Sequence, residues 1–98
     1  MNKRKNWEDW ELTLALNLYS ITPYSRISAR NPDIIELAHT IGRTPGAVSY
    51  KLANFASLDR KTIEANKKGF TNGGKLDKVV WDRYTDQEGY LQLTELLE

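Results

Sequence analysis

The sequence predicts an all-α domain, with a tri-helical core and two further helices after it. Two observations carry that prediction. Apolar residues recur at three- and four-residue spacing, and proline, glycine and short polar residues stand where helices start and stop. The 98-residue chain is long enough for one domain with one modest core.

The first helix is expected from Asn6, as N-cap, to about Ser20, with Glu8 and Asp9 in its first turn, where acids suit the helix dipole. Trp7, Trp10, Leu14 and Leu18 form one apolar row, and Leu12, Ala15, Leu16 and Tyr19 form another. This helix is expected to be central to the core.

Residues 21–31 read as a connecting loop. Asn31-Pro32 then marks a second start, with Pro32 at the position that tolerates a missing N–H. Ile34, Leu37, Ala38 and Ile41 follow, and Gly42 ends the helix in the left-handed region. Thr44-Pro45 repeats the start signal for a helix over 44–56, whose inner stripe is Val48, Leu52 and Phe55. The chain is therefore bent sharply between Ile41 and Thr44.

Residues 57–75 read as a basic loop, with a short helical turn or a small wing-like hairpin near 66–75 as alternatives. A fourth helix from about Lys75 places Leu76, Val80 and Tyr84 on one face. Thr85-Asp86-Gln87-Glu88 has the capping-box pattern, so a last helix with Tyr90, Leu93 and Leu97 inward is expected. The resulting organisation is a single domain over 1–98: a basic arm (1–5), the tri-helical core (6–56), the basic loop (57–75) and the C-terminal helices (76–98).

Net charge is only +1, but it is unevenly spread. Residues 1–81 carry 13 Lys/Arg against 8 Asp/Glu, whereas residues 82–98 carry Arg83 against five acids. A basic body with an acidic end suits a protein that meets nucleic acid on one side, and equally suits two solvated surfaces. No apolar run reaches the length of a membrane span, and no apolar stretch follows the basic start as a signal peptide requires. The chain has no cysteine, which excludes disulfides and zinc–thiolate sites and fits a cytoplasmic setting.

The bend is the feature that carries function. A helix-turn-helix needs a small residue where its helices cross, a glycine in the turn and buried aliphatics within; Ala38, Gly42, and Leu37, Ile41, Val48 and Leu52 supply them in register. The expected partner is double-stranded DNA, with helix 44–56 in the major groove. Its outward face is expected to present Gly46, Ser49, Tyr50 and Asn54 to bases: Asn54 for a bidentate pair with adenine, Tyr50 for a base or thymine methyl, Gly46 for close approach. Ala53 would also permit close approach.

Arg43 and Thr44 at the helix N-terminus, and Lys51 on the flank of its outward face, are expected at phosphates. So are Lys3, Arg4 and Lys5 of the arm, Arg26 and Arg30 of the loop, and Lys67, Lys68 and Lys75. Against each stands a plainer reading, a solvated face or a polar tail. Trp7, Trp10 and Trp81 are expected in the core rather than in a stacking cage, and His39 on the surface. No catalytic set, phosphate loop or metal-spaced pair occurs, so no enzyme activity, cofactor or metal is expected in this chain.

Residues 37–52, LAHTIGRTPGAVSYKL, resemble the trihelical DNA-binding units of bacterial sigma-factor and Myb-like type. The blocks LALNLY (14–19), RNPDIIELA (30–38), IGRTPGAVSYKLANFASLD (41–59) and GGKLDKVVWDRY (73–84) resemble the N-terminal domain of bacterial restriction-type HNH endonucleases. That resemblance implies a DNA-recognition module of a bacterial defence system, acting with a fused or associated nuclease domain and open to homodimerisation. HNH chemistry needs paired histidines, and this chain has one, so the nuclease is expected elsewhere. The alternative is a protein-interaction or dimerisation adaptor that uses the acidic C-terminal helix.

Overall fold

A computed structural model describes residues 6–65 and 74–92. Five α-helices follow one another among these residues: α1 (Asp9–Ser20), α2 (Pro32–Ile41), α3 (Pro45–Leu58), α4 (Arg60–Glu64) and α5 (Lys75–Arg83). A 3-10 turn, Tyr24–Arg26, interrupts the link between α1 and α2. The fold is all-α, and the only β pairing among the described residues is one bridge between Thr85 and Leu91.

The helix ends form for local reasons. The Asn31 side chain accepts from the Asp33 N–H at 2.9 Å and Pro32 opens α2. Gly42 closes it with φ 74°, and the Arg43 N–H returns to the Ala38 carbonyl at 2.9 Å. The Thr44 hydroxyl accepts from the Ala47 N–H at 3.1 Å and Pro45 opens α3. Asp59 caps α4 through the Lys61 N–H. The α1 cap is Glu8 rather than Asn6, because Glu11 reaches back to accept from the Glu8 N–H at 2.9 Å.

One core joins all the long helices. It holds Leu12, Ala15, Leu16 and Tyr19 of α1, Ile34 and Ala38 of α2, Val48, Leu52, Phe55 and Ala56 of α3, and Val80 and Trp81 of α5. Tyr19, Phe55 and Trp81 meet with ring centroids 5.9–6.2 Å apart, the separation of favourable aromatic pairs. α2 packs on α3, while α1 packs on α2, α3 and α5.

Three expectations are corrected. Trp10 is 52% exposed and Leu14 is also exposed, so of the first apolar row only Trp7 and Leu18 pack against the core, while the second row faces fully inward. α3 runs on to Leu58, two residues past its expected end, and of the alternatives for the segment after it the short helical turn is present, as α4. The capping-box pattern at Thr85–Glu88 starts no helix within the described residues. Instead the Asp86 carboxylate accepts from the N–H groups of Glu88 and Tyr90, Gly89 takes φ 91°, and the Asp86 N–H donates to the Tyr90 carbonyl. A glycine four residues into a would-be helix favours this turn. Arg60 donates to the Glu88 carbonyl and Tyr90 to Glu64, which fastens the turn to α4. Leu93, Leu97 and most of the wing-like hairpin lie outside the described residues.

Candidate nucleic-acid interface

α2 and α3 are joined by three residues, Gly42 to Thr44, and the orientation of α3 is fixed by what flanks it. Arg43, just before α3, makes a two-point pair with Glu11 of α1: Nη2 to Oε1 at 2.8 Å and Nε to Oε2 at 3.2 Å. Its Nη2 also donates to the Asn6 carbonyl at 3.0 Å. Nearly two turns into α3, Lys51 reaches both oxygens of Asp77 on α5 at 3.0 Å. Both cations lie over the Trp7 ring, the Arg43 guanidinium carbon 4.4 Å and the Lys51 ammonium 5.2 Å from its centroid. Trp7 is half-buried and packs against the core.

These contacts correct the expected phosphate set. The Arg43 and Lys51 side chains are 8% and 12% exposed and engaged with buried carboxylates, so neither projects towards a phosphate backbone. A desolvated cation released from such a pair would leave its carboxylate buried and unpaired.

Asn54 is corrected as well. It does not lie on the outward face: it is 2% exposed, buried beside Phe55 and Ala56 under the start of α5. Its Nδ2 approaches Asp77 Oδ2 at 3.4 Å, and its Oδ1 has no hydrogen-bond partner. Asp77 is the hub of this region, accepting from Lys51, from Asn54 and from the Gly74 N–H at 3.1 Å. Asp77 was not singled out in the sequence; its place three residues after Gly74, where a first-turn acid caps a helix, is the signal that marks it.

The outward face that remains belongs to the first half of α3. Tyr50 is 45% exposed, Thr44 and Gly46 are exposed, and Ser49, Ala47 and Ala53 are half-buried. A Cβ built on Gly46 would meet nothing closer than the Thr44 hydroxyl at 4.0 Å, so the surface there is open. His39 of α2 is exposed, as are Arg26, Arg30 and Lys75. Lys3, Arg4, Lys5, Lys67 and Lys68 lie outside the described residues.

No group of three or more His, Cys, Asp or Glu able to hold a metal occurs among the described residues. Nor is any helix among them long and apolar enough to cross a membrane. Comparison of the chain with protein-family models, with curated proteins and with solved structures gives no match.

Proposed function

We propose that the chain binds double-stranded DNA, with α2 and α3 acting as a helix-turn-helix and the first half of α3 entering the major groove. The observation that carries this reading is the pairing of a glycine-closed bend with a clear outer face on α3. Gly42 sets the bend, and small residues at Gly46, Ala47, Ser49 and Ala53 surround the half-exposed ring of Tyr50. Small side chains let a helix approach base edges, and a tyrosine ring can pack on a thymine or other base methyl. The Arg43–Glu11 and Lys51–Asp77 pairs support it indirectly: they hold α3 rigidly against α1 and α5, as a reading head requires.

In this reading Tyr50, Ser49 and Gly46 meet bases, and Thr44, Arg26, Arg30 and Lys75 meet phosphates. The five cations of 1–5 and 66–73 complete the electrostatic footprint. The resemblance to restriction-type HNH endonucleases makes the chain their target-recognition module, working in the cytoplasm with a nuclease domain and pairing with a second copy on a palindromic site.

A selection from random duplexes, with unmodified and modified bases, tests the reading. The expected result is an enriched sequence whose affinity falls with salt at a log–log slope of about −5, for roughly six phosphate contacts. Tyr50→Ala is expected to cost about 1–3 kcal/mol of binding in a variant that still unfolds cooperatively. No enrichment and no salt dependence would overturn it.

The competing reading is a protein-interaction module, and it also has a specific observation behind it. Trp10 and Leu14 stand exposed one turn apart on α1, together with Ile21 beyond its end. If a Trp10→Ser, Leu14→Ser variant changes self-association while duplex binding is absent throughout, that reading replaces the first.

A further inference from the structure

α1 gives one side to the core and leaves the other side open among the described residues. Leu12, Ala15, Leu16 and Tyr19 are buried, whereas Trp10, Leu14, Asn17 and Ile21 are exposed, Ile21 by 70%. The exposed four are spaced by four, three and four residues, the rhythm of a helix-pairing seam. At 3.6 residues per turn they fall within about 60° of arc, along roughly 17 Å of helix, on the side opposite the core.

Two features say what covers this stripe. The first is charge. The chain is 28% charged, yet residues 12–25 hold no charged side chain. The charges at the edge, Asp9 and Arg83, neutralise each other within the chain. A two-fold contact sets each residue near its own twin, so a charge on the seam would meet its like; an uncharged seam avoids that, whereas a face built for a charged partner carries the opposite sign. The second feature is hydrogen bonding. The Trp10 Nε1–H donates to Glu8 at 3.1 Å, the Thr13 hydroxyl to the Asp9 carbonyl at 3.0 Å and the Ser20 hydroxyl to the Asn17 carbonyl at 2.6 Å. These donors enter an interface already satisfied. The polar side chain on the stripe itself is Asn17, and an amide carries both donor and acceptor, so it is complementary to a copy of itself.

We propose that this face of α1 is a homodimer seam: a second copy of the chain lays its α1 parallel to the first, with Trp10, Leu14, Asn17 and Ile21 each against its own twin. The parallel direction follows from Asn17. In that arrangement the two amides face each other and bond reciprocally, whereas antiparallel pairing sets each amide against Leu14 of the second copy. The seam is short, so the interface is at the low end of the size range and the dimer forms at roughly micromolar concentration or above. The proposal rests on this face of α1 and not on DNA binding. It is compatible with DNA binding, because Tyr50 stands on another helix, on the side of α3 away from the core.

The test is sedimentation equilibrium of the full chain, without DNA, from micromolar to millimolar concentration. Leu14→Glu sets two like charges face to face on the seam. Asn17→Asp does the same from a residue that is already polar and exposed, and so decides the matter if Leu14→Glu fails to fold. The chain has no cysteine, so Ile21→Cys introduces a single thiol. Parallel pairing brings that thiol within disulfide reach of its twin, whereas antiparallel pairing holds the two about 17 Å apart along the axis. The expected result is a concentration-dependent dimer, a dissociation constant raised at least tenfold by either charge variant, and a covalent dimer of Ile21→Cys under mild oxidation. Association that neither charge variant weakens, or a dimer that Ile21→Cys does not lock, would overturn the proposal. So would a monomer throughout, which assigns the face to a different protein. Duplex binding by the same variants is read separately through Tyr50, so the failure of one proposal is distinguishable from the failure of the other.

Discussion

Arg43 and Glu11 lie 32 residues apart and form a two-point ion pair, 97% buried on the glutamate side, that ties the turn between α2 and α3 to the first turn of α1. Glu11 thereby does two jobs, because the same carboxylate caps α1 at the Glu8 N–H. Breaking such a pair leaves one desolvated charge alone. Arg43→Ala and Glu11→Ala are each expected to cost about 3–5 kcal/mol. The Arg43 change also loses the contact over Trp7, about 1 kcal/mol where partly desolvated. Urea unfolding of both single variants and the double variant measures this. A double variant little worse than either single one is the expected result, and strict additivity would contradict the pair.

Asn54 and Asp77 give a sharper test of the α3–α5 contact. Asn54→Leu keeps the volume, removes the unpartnered Oδ1 and loses only a long hydrogen bond, so it is expected to cost less than about 1.5 kcal/mol. Asn54→Asp is nearly isosteric but sets a second buried carboxylate against Asp77. It is expected to destabilise by several kcal/mol at neutral pH, because one of two adjacent buried carboxylates must stay protonated at a cost. Its deficit should shrink as pH falls through the carboxylate range. Thermal melts of the two variants at pH 7 and pH 4 decide it. Equal stability at pH 7 would mean that Asn54 is not beneath α5.

The same residues show why some of the molecule was legible in the sequence and some was not. Asn31, Gly42 and Thr44 were readable because a cap joins groups two or three residues apart. Val48, Leu52 and Phe55 were readable because one helix face follows from spacing alone. Asn54 was not, since it is covered by α5, which begins some twenty residues later. Spacing on α3 says nothing about a second layer on its far side. Arg43 and Lys51 failed for a related reason: a cation in the turn before a helix, or on the flank of that helix, looks available for phosphate until Glu11 and Asp77 are brought to it from 32 and 26 residues away. At Thr85 a local rule misled, because the same Thr-x-x-Glu letters serve a helix cap or, with Gly89 following, a tight turn.

Tyr19 predicts an alkaline limit. Burial first, and then the 2.6 Å hydrogen bond it donates to Asp59, hold its phenol well above the ordinary tyrosine value of 10. The unfolded chain ionises first, so stability is full below about pH 10 and falls as pH rises towards the higher folded value. Tyr19→Phe removes that slope. It also takes a donor from Asp59, which is 7% exposed, at a cost of about 1–3 kcal/mol near neutrality. Melting temperatures of the two proteins from pH 8 to pH 11.5 should therefore converge. Parallel curves would show that the phenol is not held by burial and Asp59.

Asp9 predicts the acid side, from the surface. Arg83 of α5 donates two hydrogen bonds to it, at 2.9 and 2.7 Å, and that pairing outweighs all else in holding the Asp9 carboxyl below its ordinary 3.8. Because the folded value is the lower one, the contribution is fully present above the ordinary value. It is lost as pH falls through the depressed one. The pair is exposed, so its effect should be small and should weaken with salt. In an NMR titration the Asp9 carboxyl carbon is expected to move at a pH below 3.8 in the wild type and to return towards 3.8 in Arg83→Met. The stability gap between wild type and Arg83→Met should be constant from pH 7 to pH 5 and close below pH 3.8. A gap that persists there would assign the contribution of Arg83 to its packing on Tyr84, over whose ring its guanidinium carbon lies 5.9 Å from the centroid, rather than to the bond across α1 and α5.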